Sequence, residues 1–91
     1  MSVQVRVPTV LRPQTGGAAV VEAASGTIAE VIRSVDEAHP GFGEMIFEES
    51  GQVKRFINIF LGDEDVRYLE GSETAVPDGA EVVILPAVAG G

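Results

Sequence analysis

His39 is the only histidine in a chain without a single cysteine. A general base needs a proton donor or nucleophile within reach, and no serine or cysteine arrangement surrounds His39 in the sequence. Standing before Pro40 at a helix end, it has the simpler task of favouring the helix dipole. Asp63, Glu64 and Asp65 are three carboxylates of the kind that hold hard cations. Adjacent residues cannot all face one ion, and the spaced ligands of a calcium loop are missing, so a solvated turn is expected and no metal. Gly16-Gly17 and Gly41 lack the Lys-Ser/Thr that would complete a phosphate loop. These side chains point to no autonomous enzyme, and no catalytic residue is expected.

Chemistry remains at the end of the sequence, "LPAVAGG". Ala87, Val88 and Ala89 carry too little side chain to build a core, and small residues let an extended segment thread a narrow channel. Residues 86–91 would reach about 20 Å when extended. Gly90 and Gly91 lack a Cβ, so they allow close backbone approach and any φ. The reactive group would be the Gly91 carboxylate. A carboxylate is a poor acyl donor, so another enzyme must activate it, for example as an acyl-adenylate. The competing explanation is a frayed terminus or a cloning remnant.

The elements that must position this tail are legible in the periodicities. "SVQVRVP" puts Val3, Val5 and Val7 on one side and Gln4 and Arg6 on the other, a strand with one buried face. A loop through Pro13 and Gly16-Gly17 leads to a second alternating run, with Ala19, Val21 and Ala23 against Glu22, which suggests a hairpin. Thr27 and Glu30 have capping-box spacing. Ile28, Val31, Ile32, Val35 and Ala38 then form a helical stripe that ends at Pro40-Gly41. Phe42, Met45 and Ile46 could line a short turn that plugs the core. "KRFINIFL" is a strand rich in aromatic and β-branched residues. "GDED" turns it, and "VRYL" is expected to pair back. Pro77-Asp78-Gly79 is a turn. "AEVVILP" is apolar on both faces, which marks a central strand, and Pro86 ends it. The expected order is β-β-α-β-β-β, an α+β domain in which a mixed sheet wraps one helix.

Length and composition bound the function. With 91 residues and 45% hydrophobic content, the chain makes one small domain with a modest core. A net charge of −8 argues against nucleic acid, whose phosphates need lysine and arginine, and favours partners with basic surfaces. No signal pattern and no run approaching a membrane span are seen, so a cytoplasmic, membrane-free domain, monomeric on its own, is the expectation.

Three stretches together, "VQVRVPTVLRP", "FINIFLGDEDVR" and "VPDGAEVVILPAVAGG", resemble the ubiquitin-like sulfur carriers of the ThiS/MoaD family, in particular those serving cysteine biosynthesis. The resemblance covers nearly the whole chain. Gly62 departs from the asparagine expected before the acidic turn, which is not a reactive position. The resemblance implies a β-grasp fold of about five strands on one main helix over residues 1–85, with residues 86–91 a flexible diglycine tail. It implies a protein co-substrate rather than an enzyme, with no bound cofactor. An E1-like adenylyltransferase and sulfurtransferase would use ATP to adenylate Gly91 and convert it to a thiocarboxylate. A PLP-dependent cysteine synthase would make an aminoacrylate from O-phosphoserine for the thiocarboxylate to attack. An acyl shift from sulfur to nitrogen would leave a cysteinyl residue on the carrier, and a metallopeptidase would release it. Two alternatives stay open: a carrier for molybdopterin, thiamine thiazole or a thiosugar, and a ubiquitin-like protein modifier. The single lysine, Lys54, nearly excludes chains built on the protein itself.

Partner docking is expected on the sheet. If Ile57, Ile59 and Leu61 face the helix, then Phe56 and Phe60 lie on the outer face beside Val83 and Leu85. An apolar outer face next to a reactive tail is a docking surface, unless the loop of residues 9–17 covers it.

Overall fold

The computed structural model describes residues 2–86. The first strand, β1 (Ser2–Arg6), buries Val3 and Val5 and leaves Gln4 and Arg6 in solvent, as its alternation requires. It pairs antiparallel with β2 (Val20–Ala24), Val3 opposite Ala23 and Val5 opposite Val21. The connection is not plain loop. Residues Thr9–Thr15 wind into a 3-10 turn that buries Leu11 and Thr15 and closes on Gly16 at φ 66°. Two residues, β3 (Gly26–Thr27), then lead into the main helix, α1 (Ile28–Ala38).

The start of α1 is set locally. The Glu30 amide donates to Thr27 Oγ1 at 3.2 Å, and the Thr27 amide donates to Glu30 Oε1 at 2.9 Å. Ile28, Val31, Ile32 and Val35 are buried, so the apolar stripe is the packing face. His39 caps the C-terminal end, its amide donating to the Val35 carbonyl at 2.8 Å. The Asp36 carboxylate then accepts from the amides of Gly41 and Gly43, which begins a short second helix, α2 (Phe42–Ile46). Phe42 and Ile46 are fully buried and Met45 packs beside them, so this turn does plug the core.

The strand β4 (Ile57–Leu61) buries Ile57 and Ile59. Gly62-Asp63 forms the turn, with Gly62 at φ 62°, a value suited to the first residue of a mirror-type hairpin turn. The returning strand, β5 (Glu64–Asp65), is only two residues long. The expected strand over "VRYL" is therefore corrected. Val66–Tyr68 is a 3-10 turn, because Asp65 Oδ1 accepts from the Arg67 amide and Val66 turns into the core. A short strand, β6 (Ala75–Val76), pairs with β3 in a separate two-stranded ribbon, and β7 (Glu81–Pro86) completes the fold.

The main sheet has the order β2-β1-β7-β4-β5. β7 is central, parallel to β1 and antiparallel to β4. Its apolar run was expected to reflect burial on both faces. Only Val82 and Ile84 are buried against the helix side, whereas Val83 is half-buried and Leu85 exposed. Pro86, assigned above to the tail, is the last residue of β7 and stands opposite Ile57. A strand end can hold proline because no further ladder donor is needed there. No helix among the described residues is long and apolar enough to cross a membrane.

Candidate functional site

Pro86 ends the central strand of the sheet, between β1 and β4. The five expected tail residues, Ala87, Val88, Ala89, Gly90 and Gly91, lie outside the described residues. What the structure places is the sheet surface around Pro86.

Strand register assembles that surface. Val20 stands opposite Arg6, Arg6 beside Val83, Val83 opposite Phe60, and Phe60 opposite Asp65, one row across the sheet on the side away from α1. The next row pairs Leu85 with Asn58. Phe56 lies in the turn before β4 and is 60% exposed, and Leu85 is 44% exposed, so both keep apolar surface in water. Phe60 and Val83, in the row beyond Leu85, are half-buried. Phe60, Val83 and Leu85 thus share one side of β4 and β7, with the exposed Phe56 in the turn that precedes β4, while Ile57 and Ile59 face the core. Leu61, grouped with the isoleucines, is half-buried. The loop of residues 9–17 does not cover this face. Its 3-10 turn packs against α2, and Gln14 donates to the Pro40 carbonyl.

Polar groups frame the patch. Arg6 Nε and Glu81 Oε2 form an exposed ion pair at 2.6 Å, a contact that adds little stability in water. Asn58 lies inside the patch with its Oδ1 shielded from solvent and unpartnered among the described residues. An unmade hydrogen bond of this kind costs about 1–3 kcal/mol. No sequence pattern marks it, since pairing depends on what the neighbouring strand presents.

The other residues with chemical potential are placed elsewhere or already engaged. His39 is the residue that caps the C-terminal end of α1. Among the described residues, no group of three His, Cys, Asp or Glu side chains is arranged to hold a metal ion. Asp65 caps the turn that follows it. The amides of Gly41 and Gly43 are taken by Asp36. A hollow of about 570 Å³ runs between α1 and α2 past Arg33, Asp36 and Phe47, and no residue of β7 lines it. Sequence reasoning missed a smaller groove of about 400 Å³ beside Phe60, walled by Asp63, Glu64, Asp65 and Tyr68. Tyr68 belongs to the segment expected to pair back as a strand, and the carboxylate of Asp65 just before it is the available signal for a turn.

Comparison with known proteins follows this geometry closely. The model of the ThiS family matches residues 5–91. The sulfur carrier protein CysO of Mycobacterium tuberculosis is 46% identical over 93 residues, covering all of both chains. The CysO chain in the crystal structure of the Amycolatopsis orientalis BexX/CysO complex superimposes with a TM-score of 0.92 at 46% identity, over 98% of this chain and 99% of that one. Small archaeal modifier protein 3 of Haloferax volcanii is 35% identical over 65 residues, 71% of this chain and 70% of that protein. The architecture is accordingly the β-grasp, ubiquitin-like fold, with its mixed five-stranded sheet on one main helix.

Proposed function

The chain belongs to the ThiS family, and from that premise we propose that it is a sulfur carrier, a protein co-substrate whose Gly91 carboxylate is the working group. The observation that carries this reading is the family match, which runs through Gly90 and Gly91 and spans the whole length of the M. tuberculosis carrier. The geometry is consistent with it, because the strand leading to the tail is the central one of the sheet, paired on both edges.

The chemistry proposed proceeds in balanced steps. An E1-like enzyme lets the Gly91 carboxylate attack the α-phosphorus of ATP, releasing pyrophosphate and giving an acyl-adenylate. Sulfide displaces AMP and leaves the thiocarboxylate directly; a persulfide donor displaces AMP to give an acyl disulfide, whose S–S bond a second thiol then reduces, leaving the thiocarboxylate and a disulfide. The carrier's own part is to present a terminus without Cβ atoms to a narrow site, and to hold the partner through Phe56, Phe60, Val83 and Leu85. In the cysteine reading, the thiocarboxylate sulfur adds to the electrophilic alkene that a PLP-dependent synthase makes from O-phosphoserine. The neighbouring amine then attacks the acyl carbon, so the adduct ends as an amide, from which a metallopeptidase frees cysteine.

The whole-length similarity to CysO proteins favours cysteine as the product over molybdopterin, thiazole or a thiosugar. A second reading, a modifier joined to target lysines, draws on the partial similarity to the Haloferax modifier protein. Mixing the thiocarboxylated chain with synthase and O-phosphoserine separates them. One cysteinyl residue on Gly91, resistant to hydroxylamine, is the expected product. Transfer of sulfur to a thiazole, molybdopterin or sugar precursor instead would replace the cysteine assignment, and isopeptide bonds to lysines would favour the modifier.

A further inference from the structure

We propose that the groove beside Phe60 and Tyr68 receives an arginine side chain of the activating partner. The proposal rests on the reading above, that the outer sheet face docks on an adenylating enzyme, and it names what that enzyme must bring.

The groove is held open by a fixed turn. Val66 is 1% exposed and the Asp65 carboxylate accepts from the Arg67 amide at 2.9 Å, so the turn of Val66–Tyr68 is pinned at two points. The Tyr68 ring is carried outward and is 88% exposed. A ring so placed gives the fold almost no burial energy, yet the backbone that carries it is held, which lowers the cost of using it as an aromatic anchor at an interface. Phe60 forms another wall of the same groove and continues into the apolar patch.

Charge decides the occupant. Asp63, Glu64 and Asp65 also line the groove, and neither Asp63 nor Glu64 has a cationic partner among the described residues. Arg67 approaches Asp65 at 3.7 Å but lines a different groove, with Gln52, Val53 and Glu70, so the chain's own guanidinium does not fill this one. An apolar side chain would strip water from the carboxylates without pairing them, and an anion would be repelled. A lysine would meet the carboxylates as a point charge. A guanidinium alone combines a planar face for Tyr68 or Phe60 with a fork of N–H donors for Asp63 or Glu64.

The test uses the full-length chain and its E1-like adenylyltransferase, with initial rates of adenylation measured against carrier concentration. Tyr68→Ser should raise the KM for the carrier about ten-fold, while Tyr68→Phe, which keeps the ring face, should stay near the parent. The pair Asp63→Asn and Glu64→Gln should raise KM at low salt and flatten its dependence on ionic strength. All three positions are exposed, so thermal unfolding should match the parent. A photo-crosslinking residue at position 68 should join to a partner segment containing arginine. A parental KM for Tyr68→Ser, or cross-links only to segments lacking arginine, would overturn the assignment while leaving the carrier reading intact. No adenylation of the parent chain would overturn both.

Discussion

Phe60 and Val83 stand opposite one another across β4 and β7, on the side of the sheet that α1 leaves uncovered. Their neighbours along the strands, Ile59 and Ile84, form the next pair and face the core at 1% exposure each. The same two strands thus hold the domain together on one side and offer apolar surface on the other. Substitution by aspartate should separate these roles. Ile59→Asp buries an unpaired charge, costs several kcal/mol and is expected to abolish the folded state. Phe60→Asp should fold, and should weaken binding to the adenylating enzyme by at least about ten-fold, near 1.4 kcal/mol. Circular dichroism and titration calorimetry read the two outcomes. A collapsed spectrum for Phe60→Asp would make that face part of the core.

The capping box of α1 gives a stability prediction. Thr27→Ala removes the acceptor for the Glu30 amide and should cost about 1 kcal/mol. For a domain of this size that lowers the melting temperature by about 4–8 °C. Thiocarboxylate formation at a temperature where the variant is folded should be unaffected. Unchanged melting would show that the cap is replaced by water or another side chain.

At Gly62 the issue is backbone and not space. A Cβ there would meet no atom within 4 Å, but φ is +62°. Gly62→Ala should therefore cost about 1–2 kcal/mol in strain. Gly62→Asn, which restores the residue that the family resemblance leads one to expect, should cost a fraction of that, since asparagine tolerates the left-handed region. Thermal unfolding of the two variants is the check. Equal losses would mean that the turn opens instead of bearing strain.

Much of this fold was legible because its signals are local. Thr27 and Glu30 are three residues apart and define their own hydrogen bonds, and the alternation of Val3 and Val5 needs only one covered face. The two-residue strands β3 and β6 are too short for any period to show. "VRYL" read as a strand because its composition suits one. The outcome turned on a hydrogen bond from the Arg67 amide to Asp65 and on the core accepting Val66; the one local sign of it, Asp65, stands before the segment. The face carrying Phe56, Phe60, Val83 and Leu85 followed from strand alternation once Ile57 and Ile59 were turned inward. The unpartnered Asn58 Oδ1 and the groove at Tyr68 depend on what neighbouring strands and turns place beside them, which no stretch of sequence states.

The most direct measurement of the central claim is the intact mass of the chain after incubation with its E1-like enzyme, ATP and a sulfur donor. The parent should exchange one oxygen for sulfur at the Gly91 carboxylate. Deleting Gly91, or extending the chain beyond it, should abolish that exchange while circular dichroism and thermal unfolding stay at parental values. Gly90→Ala should fail in the same way if the proposed partner channel admits only backbone without a Cβ. A chain lacking Gly91 that still gains sulfur at the parental rate would contradict the account.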